Sequence, residues 1–481
     1  MYLAADEAHF AVGAHALATT GRDLRGNRLP LFVSLSDPLG GEPEPWGETY
    51  YHPFLFYFNA LIMTFVPPSI AAARLPMAIV GGVISPVLFY LMARRVIGQP
   101  LPALMGTLVL ALAPVHVILS RQAIDYVLPL PFVIGWLWLL ERSLRTREAR
   151  AAALAGLVLG IGCYSYIASW VVMPMLLALS WVLWLGAGLG GRAIGVSLLA
   201  FLVPVLVAPL WILFHPEMAR DTWARYTGPP DAPPTPLVPT FLSLITPRLW
   251  FVRGGPSLIT ATARSGVVLL PFALWMLAGA VKLARLRDWR AAVVVAGVLI
   301  GLLPAAAKGE PGMVQRAMYV LPFVALAAGF GVAWLLQVRF GRAVVALVLV
   351  GSVAQFGYFY FDFFTHYKLR SAFYYDPAAF RDVTAHLVTA PEAPAYYFTD
   401  DMLHASAKWR FYTTVERRTG WLAKTRYIAA DERPDAQPGS VLVTYDETAR
   451  VTALVADGWR VEVVISDVDK RPAAVILRKL R

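Results

Sequence analysis

Between residues 68 and 362 the chain returns repeatedly to apolar runs of about 20 residues, the length that crosses a ~30 Å hydrocarbon layer as an α-helix. Ten such runs stand at roughly 70–93, 101–119, 126–141, 151–165, 168–188, 193–214, 264–284, 291–307, 317–337 and 343–362. Apolar residues are spread around them without strong periodicity, as in helices surrounded by lipid and one another. Of the 481 residues 58% are hydrophobic and 15% charged, whereas a soluble domain carries about 25% charge. The expected fold is an α-helical polytopic membrane protein. The formal charge of +11 reflects arginine flanks of helices and not a nucleic-acid partner. The single cysteine, Cys163, can form neither an internal disulfide nor a multi-cysteine metal site.

The loops alternate in charge. Arg94 and Arg95; Arg142, Arg145, Arg147 and Arg150; Arg192; Lys282, Arg285, Arg287 and Arg290; and Arg339 and Arg342 fall in five short loops, which the positive-inside rule places in the cytoplasm. The loops at 120–125, 166–168, 215–263 and 308–316 face the other way, with residues 1–69 and the tail after 362. These assignments imply a multi-pass protein of the cell (inner) membrane with its tail toward the periplasm or exterior. Ten spans with both ends outside imply a further helix upstream of Met1, about eleven in all.

Three regions follow: 1–69, an outward loop with interfacial helices; 70–362, the membrane domain; and 363–481, a soluble extracytoplasmic α/β domain. The first helix ends at Gly21. "DPLGGEPEPWGETYYHPFLFYFNALIMTF" reads as a Pro/Gly-rich bend followed by a second interfacial segment. In the tail, a helix at 377–389 precedes the strand "APAYYFTD"; then come the strand "SVLVTYD", the helix "ETARVTALVADG" and the strands "RVEVVIS" and "AAVILRKL" joined by a turn at Asp467–Lys470. The tail has no Gly-rich phosphate loop and no nucleophile elbow, so acceptor docking or a structural role suits it better than chemistry.

Four polar groups sit at outward ends of spans, where ionisable residues point to function. Asp6 and Glu7, followed by His9, are either a helix cap or a general base with an orienting neighbour. Arg121 and Asp125 in "SRQAID" lie four apart on one helical face at the mouth of a span, giving a local ion pair or a phosphate-binding arginine held by its carboxylate. Lys308 and Arg316 in "KGEPGMVQRAMYVLP" bracket a Gly/Pro turn suited to an anionic head group, or snorkel to the surface. His52 in "YYHPF" is a structural histidine or a ligand. Asp6, His9 and His52 could together hold a divalent metal ion, although nothing in their spacing demands it.

"DEAHFAVGAHALATTGRD", "YHPFLFYFNALIMTFVPPSIAAARLPMAIVGG", "LALAPVHVILSRQAIDYVLPL" and "PGMVQRAMYVLPFVALAAGFG", in that order, resemble landmarks of the GT-C membrane glycosyltransferases. The likeness runs from residue 1 to about 337 and is strongest to the group containing protein mannosyltransferases and the lipid A aminoarabinose transferase. It implies inverting transfer of a sugar from a polyprenyl-phosphate donor to a lipid, glycan or protein acceptor on the outer face. It further implies Asp6, with Glu7 beside it, as catalytic base, Arg121, Lys308, Arg316 and His52 as donor-phosphate contacts, and Asp125 as an orienting residue. Many relatives have Lys-Pro-Pro-Leu where this chain has "YHPF", so His52 stands in place of a phosphate-facing lysine. The rival readings are a secondary transporter or flippase of lipid-linked or small anionic substrates, a ligase of lipid-linked glycans, and a scaffold. No internal repeat supports the transporter, and the ionisable residues gather at the outer boundary, not the midplane.

Overall fold

The computed structural model describes residues 2–35, 50–227, 236–309 and 312–480. The expected Pro/Gly bend before Tyr50, the centre of the 215–263 loop, and Glu310 and Pro311 lie outside them. In chain order the described elements are α1 (Ala5–Thr20), β1 (Val33–Ser34), β2 (Tyr50–Tyr51), α2 (Pro53–Phe65), α3 (Ile70–Ile79), α4 (Ser85–Ile97), α5 (Pro100–Ala111), α6 (Pro114–Leu119), α7 (Pro129–Thr146), α8 (Ala149–Gly162), α9 (Ser169–Gly186) and α10 (Gly190–Val205). They continue with α11 (Val207–Phe214), α12 (Pro216–Thr227), α13 (Leu237–Leu244), α14 (Phe272–Leu286), α15 (Trp289–Ala307), α16 (Leu321–Leu335), α17 (Gly341–Phe364), α18 (His366–Tyr375) and α19 (Phe380–Thr389). The last are β3 (Tyr396–Thr399), α20 (Ala405–Val415), β4 (Thr425–Ile428), β5 (Val441–Thr444), α21 (Thr448–Ala456), β6 (Trp459–Ser466) and β7 (Pro472–Lys479). They form two compact units: a helical unit of residues 51–55 and 74–363, and an α/β unit of residues 1–50, 56–73 and 364–481.

Among the described residues seven helical segments are long and apolar enough to cross a membrane: Ile70–Ile97, Asp125–Thr146, Ser169–Gly186, Gly190–Phe214, Trp289–Ala307, Val314–Leu335 and Gly341–Phe364. The remaining three expected spans are shorter or broken. At 101–119 the rod stops at Ala111 and restarts as α6, because Pro114 cannot continue the hydrogen-bond ladder. α8 has 14 residues. The span expected from 264 begins only at Phe272, since Val267 and Val268 donate their N–H groups to the carbonyls of Leu249 and Trp250 instead of coiling.

α16 is buried on nearly every side, the only such element among the long apolar helices described. Its neighbours approach it backbone to backbone. A β-carbon at Gly331 of α16 would overlap the carbonyl oxygen of Trp275 in α14, one at Gly279 of α14 would overlap that of Ala327, and one at Gly106 of α5 would lie 2.7 Å from that of Ala325. Small residues permit this closeness, which is how helices associate where lipid is as apolar as leucine. α8 and α10 meet similarly through Gly156 and Gly160.

The α/β unit is built on a five-stranded mixed sheet of order β4-β3-β5-β7-β6, with β3 parallel to β4 and β5 and the remaining pairs antiparallel. β3 is buried on both faces. Tyr396 and Phe398 meet Trp409 and Trp421 on one face, while Tyr397 joins Leu442, Leu454, Trp459 and Leu477 on the other. Below the aromatic layer, Lys408 Nζ and Asp376 Oδ1 form a 2.9 Å ion pair with both side chains at most 1% exposed, and Lys408 also donates to the Tyr375 carbonyl at 3.1 Å. The expected interfacial helix α1 ends, as read, at Gly21 in the left-handed region, but it packs against α20 and, through Phe10, edge-on against Phe56. The N-terminal segment and the tail, separate regions in the sequence, therefore share one unit.

Replacing Gly331 by Ala should destabilise the helical unit by about 1–3 kcal/mol, the usual cost of overpacking. Gly357 of α17, with open space where its β-carbon would go, is the control. Thermal unfolding in detergent should show a lower midpoint for Gly331→Ala and none of that loss for Gly357→Ala.

Candidate active site

In the helical unit the residues of interest converge on the segment before α16. A 3-10 helix, Val314–Val320, carries Arg316 and leads directly into α16. Against it packs the 3-10 turn Asp125–Val127, which opens α7. Arg316 is half-buried and its Nη1 donates to the Tyr166 hydroxyl at 3.2 Å. The Tyr166 ring lies edge-on to Tyr126 with centroids 5.5 Å apart, and Asp125 is 3% exposed. Next to them the Tyr319 hydroxyl pairs with Ser169 at 2.7 Å, and Ser169 with Ser165 at 3.0 Å. The result is a buried carboxylate, an arginine and a line of hydroxyls within a helical frame.

Arg121 and Asp125 do not share a helical face. α6 ends at Leu119, residues 120–124 form turns, and Ile124 is extended before Asp125 starts its own turn. Arg121 is exposed whereas Asp125 is buried. This turn is seated on a π-helical bulge, Val80–Ile84, in the rod from Ile70 to Ile97. Gly81 in the bulge leaves no room for a side chain, since a β-carbon there would lie 2.6 Å from that of Ser120 and closer still to its hydroxyl. From the other side Gln122 Nε2 donates to the Ile259 carbonyl at 2.6 Å. Nearby, Arg264 Nη1 pairs at 3.3 Å with Asp362 Oδ1, whose side chain is 3% exposed. Lys308, half-exposed, caps the C-terminus of α15.

His52 differs from its expected role as a phosphate-facing cation. It is 3% exposed, its Nε2 accepts the Trp170 indole N–H at 2.9 Å, and burial pushes its pKa down to about 3. An imidazole accepting at Nε2 carries its proton on Nδ1 and no charge. His52 is therefore a structural hydrogen-bond acceptor.

In the α/β unit the adjacent acids are separated by geometry. Glu7, with no exposed surface, turns back to accept the Ala4 N–H at Oε2 (2.9 Å), the carboxylate half of a capping box. Asp6, one residue earlier and so rotated by about 100° on the helix, is partly exposed. His9 Nε2 lies 3.3 Å from His404 Nδ1. Among the described residues no group of three or more His, Cys, Asp or Glu side chains is placed to hold a metal ion, so the set Asp6, His9 and His52 is not assembled as a ligand cluster.

Tyr166, Ser169, Trp170 and Tyr319 were not singled out from the sequence. For the first three the signal is the density of hydroxyls and rings in "YSYIASW", the link from α8 into α9, which an apolar protein would otherwise fill with small aliphatic residues; Tyr319 has no such local signal.

The described frame resembles known proteins. ArnT from Cupriavidus metallidurans in the apo state superposes with a TM-score of 0.54 at 15% identity, covering 98% of this chain and 93% of that one. The fold is that of the GT-C glycosyltransferases. Residues 48–213 match the family model of dolichyl-phosphate-mannose-protein mannosyltransferases, a stretch that holds His52, Arg121, Asp125 and Tyr166. The Archaeoglobus fulgidus oligosaccharyltransferase in the apo form gives a TM-score of 0.49 at 12% identity over 89% of this chain and 61% of that one. No curated protein sequence matches the chain.

A neutral buried histidine has a definite pH signature. Its folded pKa is depressed below the ordinary value near 6.5, so its contribution to stability is complete above about 6.5 and is lost progressively as pH falls toward about 3. His52→Gln, which keeps an acceptor for Trp170 and cannot titrate, should show a shallower loss of thermal midpoint across that window than the parent protein. A loss equally steep in both would assign the acid sensitivity to other groups.

Proposed function

We propose that the protein is a membrane glycosyltransferase that moves a sugar from a polyprenyl-phosphate carrier to an acceptor on the extracytoplasmic face, with inversion at the anomeric carbon. The observation that carries the reading is the family match over residues 48–213, within which lie Arg121 and the Asp125 turn. The arginine loops of the helical unit support an orientation with this end of the helices outward.

In the proposed reaction the acceptor O–H or N–H loses its proton to Asp6 as its heteroatom bonds to the anomeric carbon, and the bond from that carbon to the phosphate oxygen breaks. The leaving group passes from phosphodiester to phosphomonoester and gains a negative charge. Arg316 is the proposed partner for that charge, because a guanidinium held in place by Tyr166 needs no rearrangement as charge develops. Arg121 and Lys308 are further proposed contacts of the donor phosphate. Asp125, buried in the turn beside the Arg316 segment, is the proposed orienting group. Of the two acids, Asp6 is assigned as base because Glu7 spends one oxygen on the helix cap.

The test is transfer of radiolabelled sugar from a pool of polyprenyl-phosphate sugars in membranes containing the protein. Asp6→Asn should lower the rate about 10²–10⁴-fold, the usual contribution of a general base. Glu7→Gln retains an acceptor for the Ala4 N–H and should keep most activity. Equal transfer by Asp6→Asn and the parent protein would remove Asp6 as base, and no transfer by the parent from a competent pool would remove the glycosyltransferase reading. Arg316→Gln should reduce turnover with little change in thermal midpoint.

A further inference from the structure

At the opposite end of the same helices lies a cavity of about 460 Å³, within the ~300–1,000 Å³ range of small-molecule sites. It opens between the C-terminal ends of α4, α7 and α9 and the start of α15. α7 is 18 residues long, so at 1.5 Å per residue the cavity stands about 27 Å from the Asp125 turn. Arg95, Arg145, Arg287 and Arg290 line it, opposed by Glu141 and Asp288, leaving an excess of two positive charges, and α9 supplies an apolar wall through Val182 and Leu183.

Arginines at helix ends ordinarily reach for lipid phosphates and water, and that alone would not make a site. Two buried atoms make this one different. Glu141 is 7% exposed; its Oε1 accepts Arg145 Nε at 2.9 Å, while its Oε2 is buried with no hydrogen-bond partner among the described residues. Arg290 Nε is likewise buried without a partner. A buried polar atom left unpaired is costly, so a guest completing this cavity should bring an acceptor for Arg290 and a donor for Glu141. Arg290 Nη1 is 3.5 Å from Asp288 Oδ2 and Arg95 lies over the Trp138 ring at 5.3 Å, which holds two of the guanidiniums near the opening.

We propose that this cavity binds the head group of a phospholipid, its phosphate on the arginines, a head-group hydroxyl or ammonium donating to Glu141, and its chains along the apolar side of α9. Basic pockets between spans on the arginine-rich face are where anionic head groups collect. The site is separate from the proposed reaction and does not depend on it.

The experiment is native mass spectrometry and thermal unfolding of the delipidated full chain with phosphatidylglycerol, phosphatidylcholine or inorganic phosphate added. Phosphatidylglycerol, which has both phosphate and hydroxyl donors, should be retained and raise the unfolding midpoint; phosphatidylcholine, lacking a donor, and inorganic phosphate should do so weakly. Arg95→Gln/Arg290→Gln should weaken phosphatidylglycerol at least about tenfold, as loss of a charge-assisted phosphate contact implies. Arg287→Gln, at an exposed turn, gives the same reading with less risk to folding, and Arg342→Gln, on the same face outside the cavity, should leave binding unchanged. Equal retention of both lipids, or equal loss in Arg342→Gln and the cavity variants, would overturn the proposal in favour of a general lipid annulus. Inorganic phosphate as effective as phosphatidylglycerol would overturn the lipid assignment and leave an anion site.

Discussion

The close approach of α5 and α14 to α16 is the constraint on which the helical unit depends. Inside a bilayer, burying leucine against leucine gains little over burying it against lipid, so helices must gain by touching more atoms and by excluding lipid from the seam. Gly106, Gly279 and Gly331 remove the side chains that would keep the backbones apart. Gly297 and Gly301 of α15 make room in the same way for Phe323 of α16 and for Val320, which ends the 3-10 segment before it. The consequence reaches the candidate site, because Arg316 stands on the 3-10 segment that runs without a break into α16. Its guanidinium is placed by the packing of a helix, and Tyr166 needs only to steady it.

Much of this frame was legible because a bilayer sets the length of an apolar run, and runs of that length leave little freedom. What escaped was decided by local exceptions. Pro114 broke one span, and backbone pairing of Val267 and Val268 with residues 249 and 250 delayed the start of another. The π-bulge at Val80–Ile84 adds one residue to a turn with no mark in the hydropathy, yet it seats Gly81 against Ser120 and so fixes the approach to Asp125. Arg121 and Asp125, four apart in a sequence that scans as helix, were assigned a common face that the turn at 120–124 denies them.

In the α/β unit, four of the five strands are readable from the sequence, the edge strand β6 among them, and the other edge strand, β4, is not. β5 is buried at all four residues and β7 along most of its length, while β4, "TRYI", alternates with exposed residues and offers only Ile428 fully to the core. The Lys408–Asp376 pair, 32 residues apart, carries no local signal at all. Two charges withdrawn from water are costly unless each is well paired. Here the lysine is also held by the Tyr375 carbonyl, so the pair joins α20 to the end of α18 in one register.

Two residue pairs show why residue type alone could not assign roles. Asp6 and Glu7 are chemically alike, and their difference arises because Ala4, the residue before α1, has no side chain able to cap. Glu7, three residues into the turn, is the group whose reach matches the free Ala4 N–H, so it is drawn inward and Asp6 is left at the surface. His52 and Arg316 are both read from sequence as phosphate contacts, and burial separates them. A guanidinium keeps its charge in any protein environment, whereas an imidazole with an indole N–H aimed at Nε2 is cheaper to bury neutral than charged. Near a bilayer surface, then, arginine is a dependable cation and histidine is one only where its partners accept hydrogen bonds, and here its partner donates.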